Sequence, residues 1–434
     1  MLTLETARHP MHIASLQIFE PPADAGPGFV EQIFAKMRAC TDVATVFTGH
    51  PRQTRRGTSA VRWSYDTEID LDDHLEMLWL PAPGGDTEFF RVLSGLHSGL
   101  LDRTRPLWRA TVIGGLEGGR FAVYTKTHHA LLDGVSGMRM LHQSLSTDPE
   151  EREVRASWAR QPASPAAPAA RPAPRSRATR AAGTARAARR SASAIRAALR
   201  ERELFPVLRA PRTMFNAPAG GERSVAVRSW PMARITDVAK AVGVSPNDVS
   251  VAMISGALRE YLTDCDALPD TPMLGMLPVS MRTGTEANER NIFGSAVCNL
   301  GTHLEDPVQR LRIINRSMDY NKRFIRSLPQ QVAIHLAGLI CAPVGSGRIP
   351  PVFNVSISQV PAPREALYRG GARLLATYAL APTLSGQALN FGLISDGENV
   401  TFSAVGNTAT VPGLARFLDL FETALKDLER AAGL

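Results

Sequence analysis

The sequence His128-His129-Ala130-Leu131-Leu132-Asp133-Gly134 lies where one hydrophobic periodicity ends and another begins. Before it, residues 121–128 alternate between two faces with a period of two, which is typical of a β-strand. After it, apolar residues recur between 135 and 145 at the spacing of an α-helix. The pattern therefore predicts that both histidines lie at the end of a strand, ahead of a helix.

Histidines in such a turn favour acid–base chemistry, because histidine titrates near neutrality and a rigid scaffold can aim it at a substrate. Asp133 can hold the loop or a nearby cation, and Gly134 leaves room for a ligand or a second backbone. We therefore interpret the motif as an active-site base.

Three other interpretations compete: polar residues at a sheet edge, metal ligands, and a Ser-His-Asp hydrolase. Adjacent strand residues point to opposite faces, so His128 and His129 are poorly placed to share one metal ion. The chain also has no Gly-x-Ser-x-Gly turn for a hydrolase nucleophile. We expect no metal site here.

The formal net charge of +8 originates in one segment. Residues 154–200 contain eleven arginines and no lysine, aspartate or glutamate, and removing them leaves −3 for the rest. The proline-rich first part is predicted to be extended or disordered, and 178–204 is predicted to be a basic helix. The segment either attaches the protein to an anionic membrane or lipid droplet, or is a solvated linker. Nucleic acid is not an expected partner, because no series of aromatic side chains is available for base stacking.

Length and composition indicate two domains with large cores, since the chain has 434 residues and 44% hydrophobic content. We expect no secretory signal, and no apolar run approaches the roughly 20 residues that span a bilayer. The four cysteines are far apart, which is typical of reduced thiols in the cytoplasm. We therefore expect a cytoplasmic protein, with peripheral attachment to the inner membrane or lipid droplets as the alternative.

Further motifs follow a recognisable order along the chain. They are Pro10-Met11-His12, Pro106-Leu107-Trp108, Asn247-Asp248, Pro278-Val279-Ser280-Met281-Arg282 and Leu389-Asn390-Phe391. Together with the His-His-x-x-x-Asp-Gly motif, they resemble the bacterial wax ester synthase/diacylglycerol acyltransferase family. That family lies within the superfamily of chloramphenicol acetyltransferase-like acyltransferases and condensation domains.

The resemblance implies an α/β fold of two chloramphenicol acetyltransferase-like subdomains. Each would be a mixed sheet flanked by helices, with the active site in the cleft between them. We expect residues 1–146 to form the N-terminal subdomain that carries the motif. Residues 147–208 would be an Ala/Pro/Arg-rich basic linker, and residues 209–434 the C-terminal subdomain.

The resemblance also implies roles for individual residues. His129 would deprotonate the acceptor alcohol for direct attack on the thioester of an acyl-coenzyme A, without an acyl-enzyme. His128 would support the site, and Asp133 would hold the loop through an arginine, for which Arg282 is the candidate. Acyl-coenzyme A would enter as a substrate, with no cofactor. The implied acceptor is diacylglycerol, with long-chain alcohols as a second class.

Structural interpretations are available for the remaining motifs. Asn247-Asp248 reads as a helix start, with a cap at Ser245 and Asp248 completing a capping box. Pro106-Leu107-Trp108 reads as the lead into a strand with Trp108 in the core. His12 is more easily explained by burial than by a position on an acyl channel.

Three positions depart from the family's usual residues: Ser295 and Gln359 stand where asparagine is usual, and Ala362 stands where glycine is usual. A glycine can serve a backbone angle that alanine disfavours. Two other functions therefore stay open. One is a related transferase with a different hydroxyl or amine acceptor, and the other is a catalytically silent lipid-binding protein.

Overall fold

The computed structural model describes residues 2, 5–52, 62–160, 196–198, 200–201, 203–206, 210–218, 220–280, 293–340, 351–383 and 386–434. The strands are β1 (His12–Glu20), β2 (Gly49–Arg52), β3 (Arg62–Tyr65), β4 (Leu75–Trp79), β5 (Trp108–Gly114), β6 (Phe121–His128), β7 (Arg223–Pro231), β8 (Leu274–Ser280), β9 (Phe293–Asn299), β10 (Val355–Pro361), β11 (Tyr368–Arg369), β12 (Ala372–Leu380), β13 (Leu389–Ser395) and β14 (Asn399–Asn407). The α-helices are α1 (Phe29–Arg38), α2 (Asp86–Ser98), α3 (Gly134–Gln143), α4 (Met232–Val242), α5 (Pro246–Asp264), α6 (Pro307–Ser327), α7 (Gln330–Ile340) and α8 (Arg416–Ala432).

Two six-stranded sheets organise the molecule into two lobes. The first has the strand order β11-β12-β1-β6-β5-β4, and the second β7-β14-β13-β10-β8-β9. Both sheets are mixed, because β4 pairs with β5 in parallel and β10 pairs in parallel with β13 and β8. The predicted architecture of two mixed sheets flanked by helices is confirmed.

The local predictions around the motif agree closely with the structure. Strand β6 ends at His128, as the alternation indicated, and α3 begins at Gly134. Strands β5 and β6 form the expected antiparallel hairpin, with Val112 opposite Val123. A strand and a helix thus meet at the seven-residue motif.

The first sheet is not built from the N-terminal half alone. Strand β12 pairs antiparallel with β1, with Leu16 opposite Tyr378, and β11 extends the same edge. The predicted domain boundary at residue 208 therefore divides the sequence, but the first sheet contains strands from both sides of this boundary. The residues of β12 contain no local information about which sheet the strand joins.

The core of the first lobe extends into the segment that was predicted to be linker. Ala156 and Trp158 are fully buried, and the Trp158 ring stacks on Trp108 with centroids 4.9 Å apart. The Trp158 indole Nε1 donates to the carbonyl of Cys40 at 3.2 Å. The proline-rich residues and most of the helix predicted at 178–204 lie outside the described residues.

The second lobe buries its largest apolar cluster between its sheet and helices α5 and α8. Phe391 and Phe402 from the sheet meet Phe421 from α8, at centroid distances of 5.6 and 5.1 Å. Fully burying each such ring contributes about 1.5–3 kcal/mol. Among the described residues, every helix is too short or too polar to cross a membrane.

Candidate active site

The two histidines of the motif point in opposite directions from the end of β6. His128 has no solvent exposure, whereas His129 lines a cavity between the lobes. Their backbones are held by neighbouring segments, since the His128 N–H donates to Leu107 and the His129 N–H to Met11, both at 2.9 Å. Both positions are therefore set by the start of β1 and the lead into β5.

The cavity has a volume of about 320 Å³ and takes its walls from both lobes. The first lobe contributes Thr125, His129 and Leu132, and the second contributes Pro278 and Val360. Aliphatic side chains form most of the wall, and His129 contributes an imidazole to it. Such a space suits an acyl chain that must approach one polar reactive group.

Burial lowers the pKa of His129 below its ordinary value. A backbone hydrogen bond and the negative charge of Asp133 act in the opposite direction. A histidine with a lowered pKa is neutral at pH 7, and a neutral imidazole has the free lone pair that a general base requires.

A buried carboxylate supports the motif from behind. Glu5 accepts two hydrogen bonds from Arg103, at 2.9 and 2.8 Å, and one from the Met11 N–H at 3.0 Å. Its Oε1 lies 3.5 Å from Nε2 of His128. Because Nδ1 of His128 accepts from the Ala130 N–H at 3.0 Å, we assign the ring proton to Nε2, facing Glu5.

The environment keeps Glu5 ionised. Burial by itself raises the pKa of Glu5, but its polar contacts with His128, Met11 and Arg103 outweigh burial and lower it to about 2. Sequence reasoning missed this residue, since Arg103 lies 98 positions away in the chain and no local pattern marks the pair.

Asp133 and Gly134 shape the turn between His129 and α3. The Asp133 carboxylate accepts from the Ser136 N–H at 2.8 Å and caps the helix. Arg282, its predicted partner, lies outside the described residues. A Cβ added at Gly134 would meet no protein atom within 4 Å, and Gly134 lines the cavity. The room left by this glycine is therefore space for a ligand.

Family comparisons agree with this geometry. Residues 1–250 match the model of the wax ester synthase/diacylglycerol acyltransferase catalytic domain, and residues 290–429 match that of the WS/DGAT C-terminal domain. The chain belongs to the wax ester synthase/diacylglycerol acyltransferase family.

Individual relatives span the whole chain. A Mycobacterium tuberculosis protein named as a diacylglycerol O-acyltransferase is 43% identical, covering 100% of this chain and 98% of the relative. Another from the same organism, tgs2, is 42% identical with the same coverage. The wax ester synthase/diacylglycerol acyltransferase of Marinobacter aquaeolei VT8 superposes with a TM-score of 0.80 at 33% identity, covering 100% of this chain and 97% of that one.

More distant structures share the fold alone. The first condensation domain of the CDA synthetase has a TM-score of 0.57 at 17% identity, covering 98% of this chain and 91% of that domain. The two-lobed architecture is therefore common to WS/DGAT proteins and condensation domains.

Two of the sequence motifs that resemble the family, Pro106-Leu107-Trp108 and Asn247-Asp248, have structural roles in this fold. Leu107 provides the carbonyl that holds His128, while Trp108 is fully buried and its Nε1 donates to Phe47 at 2.8 Å. Pro106 precedes them and completes the lead into β5. This landmark positions the strand that lies beside the motif.

The Asn247-Asp248 landmark lies at the start of α5 and is not part of the cavity wall. Asp248 and Ser245 form the predicted capping box, and Asp248 also accepts from Asn315 at 2.9 Å. The interpretation as a helix start is confirmed. His12 is likewise buried, with Nε2 2.8 Å from the His97 carbonyl oxygen.

The three departures from the usual WS/DGAT residues differ in position, and Gln359 itself lines the cavity. Ser295 pairs directly with Pro278, which lines the cavity, so both side chains lie on the cleft side of the second sheet. Ala362 follows β10 and packs beside Val360 and Ile394. Asp266 is the one non-glycine residue with positive φ in the described part of the chain. Alanine at 362 therefore adopts its backbone angles without strain.

Proposed function

We propose that this acyltransferase transfers the acyl group of an acyl-coenzyme A to diacylglycerol and forms triacylglycerol. Long-chain alcohols are the second acceptor class, with wax esters as products. The observation that carries the proposal is the position of His129, whose imidazole lies at the end of β6 in an apolar cavity between the lobes.

The proposed reaction needs one proton carrier. His129 takes the hydroxyl proton while the alcohol oxygen bonds to the thioester carbonyl carbon. The tetrahedral intermediate then collapses, the carbon–sulfur bond breaks, and coenzyme A leaves as a thiolate that takes the proton back from His129. Acyl-coenzyme A is consumed as a substrate, and the step requires neither a metal nor a cofactor.

The other residues of the motif act on His129 through its surroundings. Asp133 caps α3 and raises the pKa of His129, which strengthens it as a base. His128 and Glu5 support the strand end from the buried side. We propose Arg282 as a further partner of Asp133, as the family resemblance implies. The names of the M. tuberculosis relatives support diacylglycerol as the leading acceptor.

The test is transfer of labelled palmitate from palmitoyl-coenzyme A by the purified full-length protein, with diacylglycerol and hexadecanol offered in parallel. His129→Ala should lower the rate by about 10²–10⁴. His303→Ala, which changes an exposed histidine away from the cavity, is the matched control and should leave the rate unchanged.

Each outcome separates the functions that the sequence left open. Labelled ester that disappears in His129→Ala supports the transferase and ranks the acceptors. Release of coenzyme A without ester indicates a different hydroxyl or amine acceptor. Folded protein that binds lipid but turns over neither acceptor supports a silent lipid-binding protein and contradicts the proposal.

We also propose that the protein acts at an anionic lipid surface and that the arginine-rich segment 154–200 contributes to this contact. Its eleven positive charges are unmatched by acidic residues within the segment. Contact of this kind should weaken steeply as salt rises, since each basic residue near such a surface contributes about 1 kcal/mol at low salt.

A further inference from the structure

Helix α7 buries one face and leaves two large apolar side chains uncovered on the other. Ala333, Ala337 and Ile340 are buried, whereas Ile334 and Leu339 are 43% and 71% exposed. Leu339 is the most exposed large hydrophobic residue in the described part of the chain. The exposed polar side chains of Gln331 and His335 lie between Ile334 and Leu339 around the helix. The uncovered face is therefore mixed, and it contains no Asp, Glu, Lys or Arg.

The surface next to this face is basic. Two residues separate the end of α6 from the start of α7, and the last turns of α6 contain Lys322, Arg323 and Arg326. These three cations have no carboxylate partner within ion-pair distance among the described residues, and no Asp or Glu occurs from residue 320 to residue 364. The positive charge is therefore available to an external anion.

The end of the arginine-rich segment packs at the same place. Ala198 is fully buried in one apolar cluster with Phe324 of α6 and Ala333 of α7. Arg196 and Arg200, on either side of Ala198, are exposed. The described end of the segment thus adds two arginines to the basic surface of α6.

The same cluster connects this surface to the wall of the cavity. Val279 of β8 belongs to it, while the preceding residue, Pro278, faces the opposite side of the strand and lines the cavity. Helix α7 packs along the edge strand β9, with Ala333 in the cluster of Val279 and Ile340 in a second cluster with Met276, which lies on the same face as Pro278.

We propose that α7 and the basic end of α6 form a docking surface for an anionic phospholipid bilayer. Ile334 and Leu339 enter the boundary between headgroups and acyl chains, and Lys322, Arg323 and Arg326 contact the lipid phosphates. The inference rests on the proposed function, because substrates that dissolve in a bilayer must be collected from one.

Electrostatic complementarity favours an anionic bilayer over a second copy of the chain as the occupant of this surface. Two copies that met through this face would bring their unpaired cations together, and like charges at a contact oppose association. An anionic bilayer offers both the apolar interior for Ile334 and Leu339 and the negative charge for the cations. The exposed acidic residues close to these cations are Glu201, Glu203 and Asp319, and Glu203 already lies 3.7 Å from Arg316. The cations Lys322, Arg323, Arg326, Arg196 and Arg200 outnumber them, so the surface is positive.

The experiment is flotation of the purified full-length protein with vesicles of phosphatidylcholine alone or with 30% phosphatidylglycerol, about one-third anionic lipid as in a charged leaflet. The double variant Ile334→Gln/Leu339→Gln should bind anionic vesicles about tenfold more weakly. The triple variant Lys322→Gln/Arg323→Gln/Arg326→Gln should lose roughly a hundredfold at low salt, since each charge contributes about fivefold. Leu100→Gln, which changes an exposed leucine elsewhere, is the matched control and should bind like the wild type.

Acyl transfer to hexadecanol in detergent micelles is measured on the same variants and should stay at the wild-type rate. This assay keeps the two proposals distinguishable. Absence of acyl transfer by the wild-type protein would contradict the proposed acyltransferase function but not the proposed docking surface. If both surface variants bound vesicles like the wild type, the proposed docking surface would be wrong. Membrane contact would then be made by the rest of the arginine-rich segment. Loss of a dimer in Ile334→Gln/Leu339→Gln, seen by sedimentation with no change in vesicle binding, would overturn it in favour of self-association.

Discussion

Glu5 and His128 meet behind the turn that follows β6, with Oε1 of Glu5 lying 3.5 Å from Nε2 of His128 and both side chains almost wholly buried. The carboxylate also holds Arg103 and the Met11 N–H. The Met11 carbonyl in turn accepts from the His129 N–H, so the first residues of the chain contact both histidines of the motif. The N-terminal segment is therefore part of the scaffold of the site.

We expect Glu5→Gln to destabilise the protein by about 2 kcal/mol, because hydrogen bonds to a charged group are lost while the neighbouring polar groups stay buried. Urea unfolding at pH 7 measures the change. Glu31→Gln, at an exposed position of α1, is the control and should unfold like the wild type. An unchanged midpoint for Glu5→Gln would show that the Glu5 contacts contribute nothing to stability.

The stabilising effect of Glu5 should depend on pH. The pKa of Glu5 is lowered from 4.5 to about 2 on folding, so its ionised form stabilises the protein above the unfolded value. This contribution is lost as the pH falls from about 4.5 towards 2. The difference in unfolding free energy between wild type and Glu5→Gln should therefore shrink across that window. A difference that stays constant between pH 6 and pH 3 would contradict the lowered pKa of Glu5.

The acid limb of the rate should follow His129. Burial lowers its pKa below 6.5, so kcat/KM should be flat near pH 7 and should fall only below 6.5, where the imidazole becomes protonated. Asp133→Asn keeps a helix-capping side chain but removes the charge that raises this pKa. The limb should therefore move to lower pH in the variant. A limb that moves to higher pH would exclude this electrostatic role for Asp133.

Gly134 should control the space beside His129. Gly134→Leu should leave the fold intact, since a side chain there meets no protein atom at its Cβ, but should fill part of the cavity. We expect the variant to have a higher KM for palmitoyl-coenzyme A than the wild type. The KM for an acyl-coenzyme A with a short acyl chain, measured in parallel, should rise less. Gly95→Ala in α2 is the control, because that glycine also has open space at its Cβ but does not line the cavity. Equal KM values for both donors in Gly134→Leu would contradict the assignment of this space to the acyl chain.

The turn that carries the motif and the elements next to it could be read from the chain directly. Alternation over 121–128 and helical spacing after 135 placed β6 and α3 correctly, and the capping box at Ser245 and Asp248 identified the start of α5. These features depend on residues within a few positions of one another, so the sequence contains the whole signal.

Contacts between distant segments could not be read in this way. Glu5 meets Arg103 and His128, β12 joins β1, and Trp158 stacks on Trp108, although each partner lies far along the chain. Each single sequence pattern is satisfied by many pairings, and only the folded chain selects one. The candidate base and the turn that carries it could therefore be predicted from seven neighbouring residues. Its support, its cavity and the uncovered face of α7 arose from tertiary packing, because burial and hydrogen bonding are decided by which segments the topology brings together.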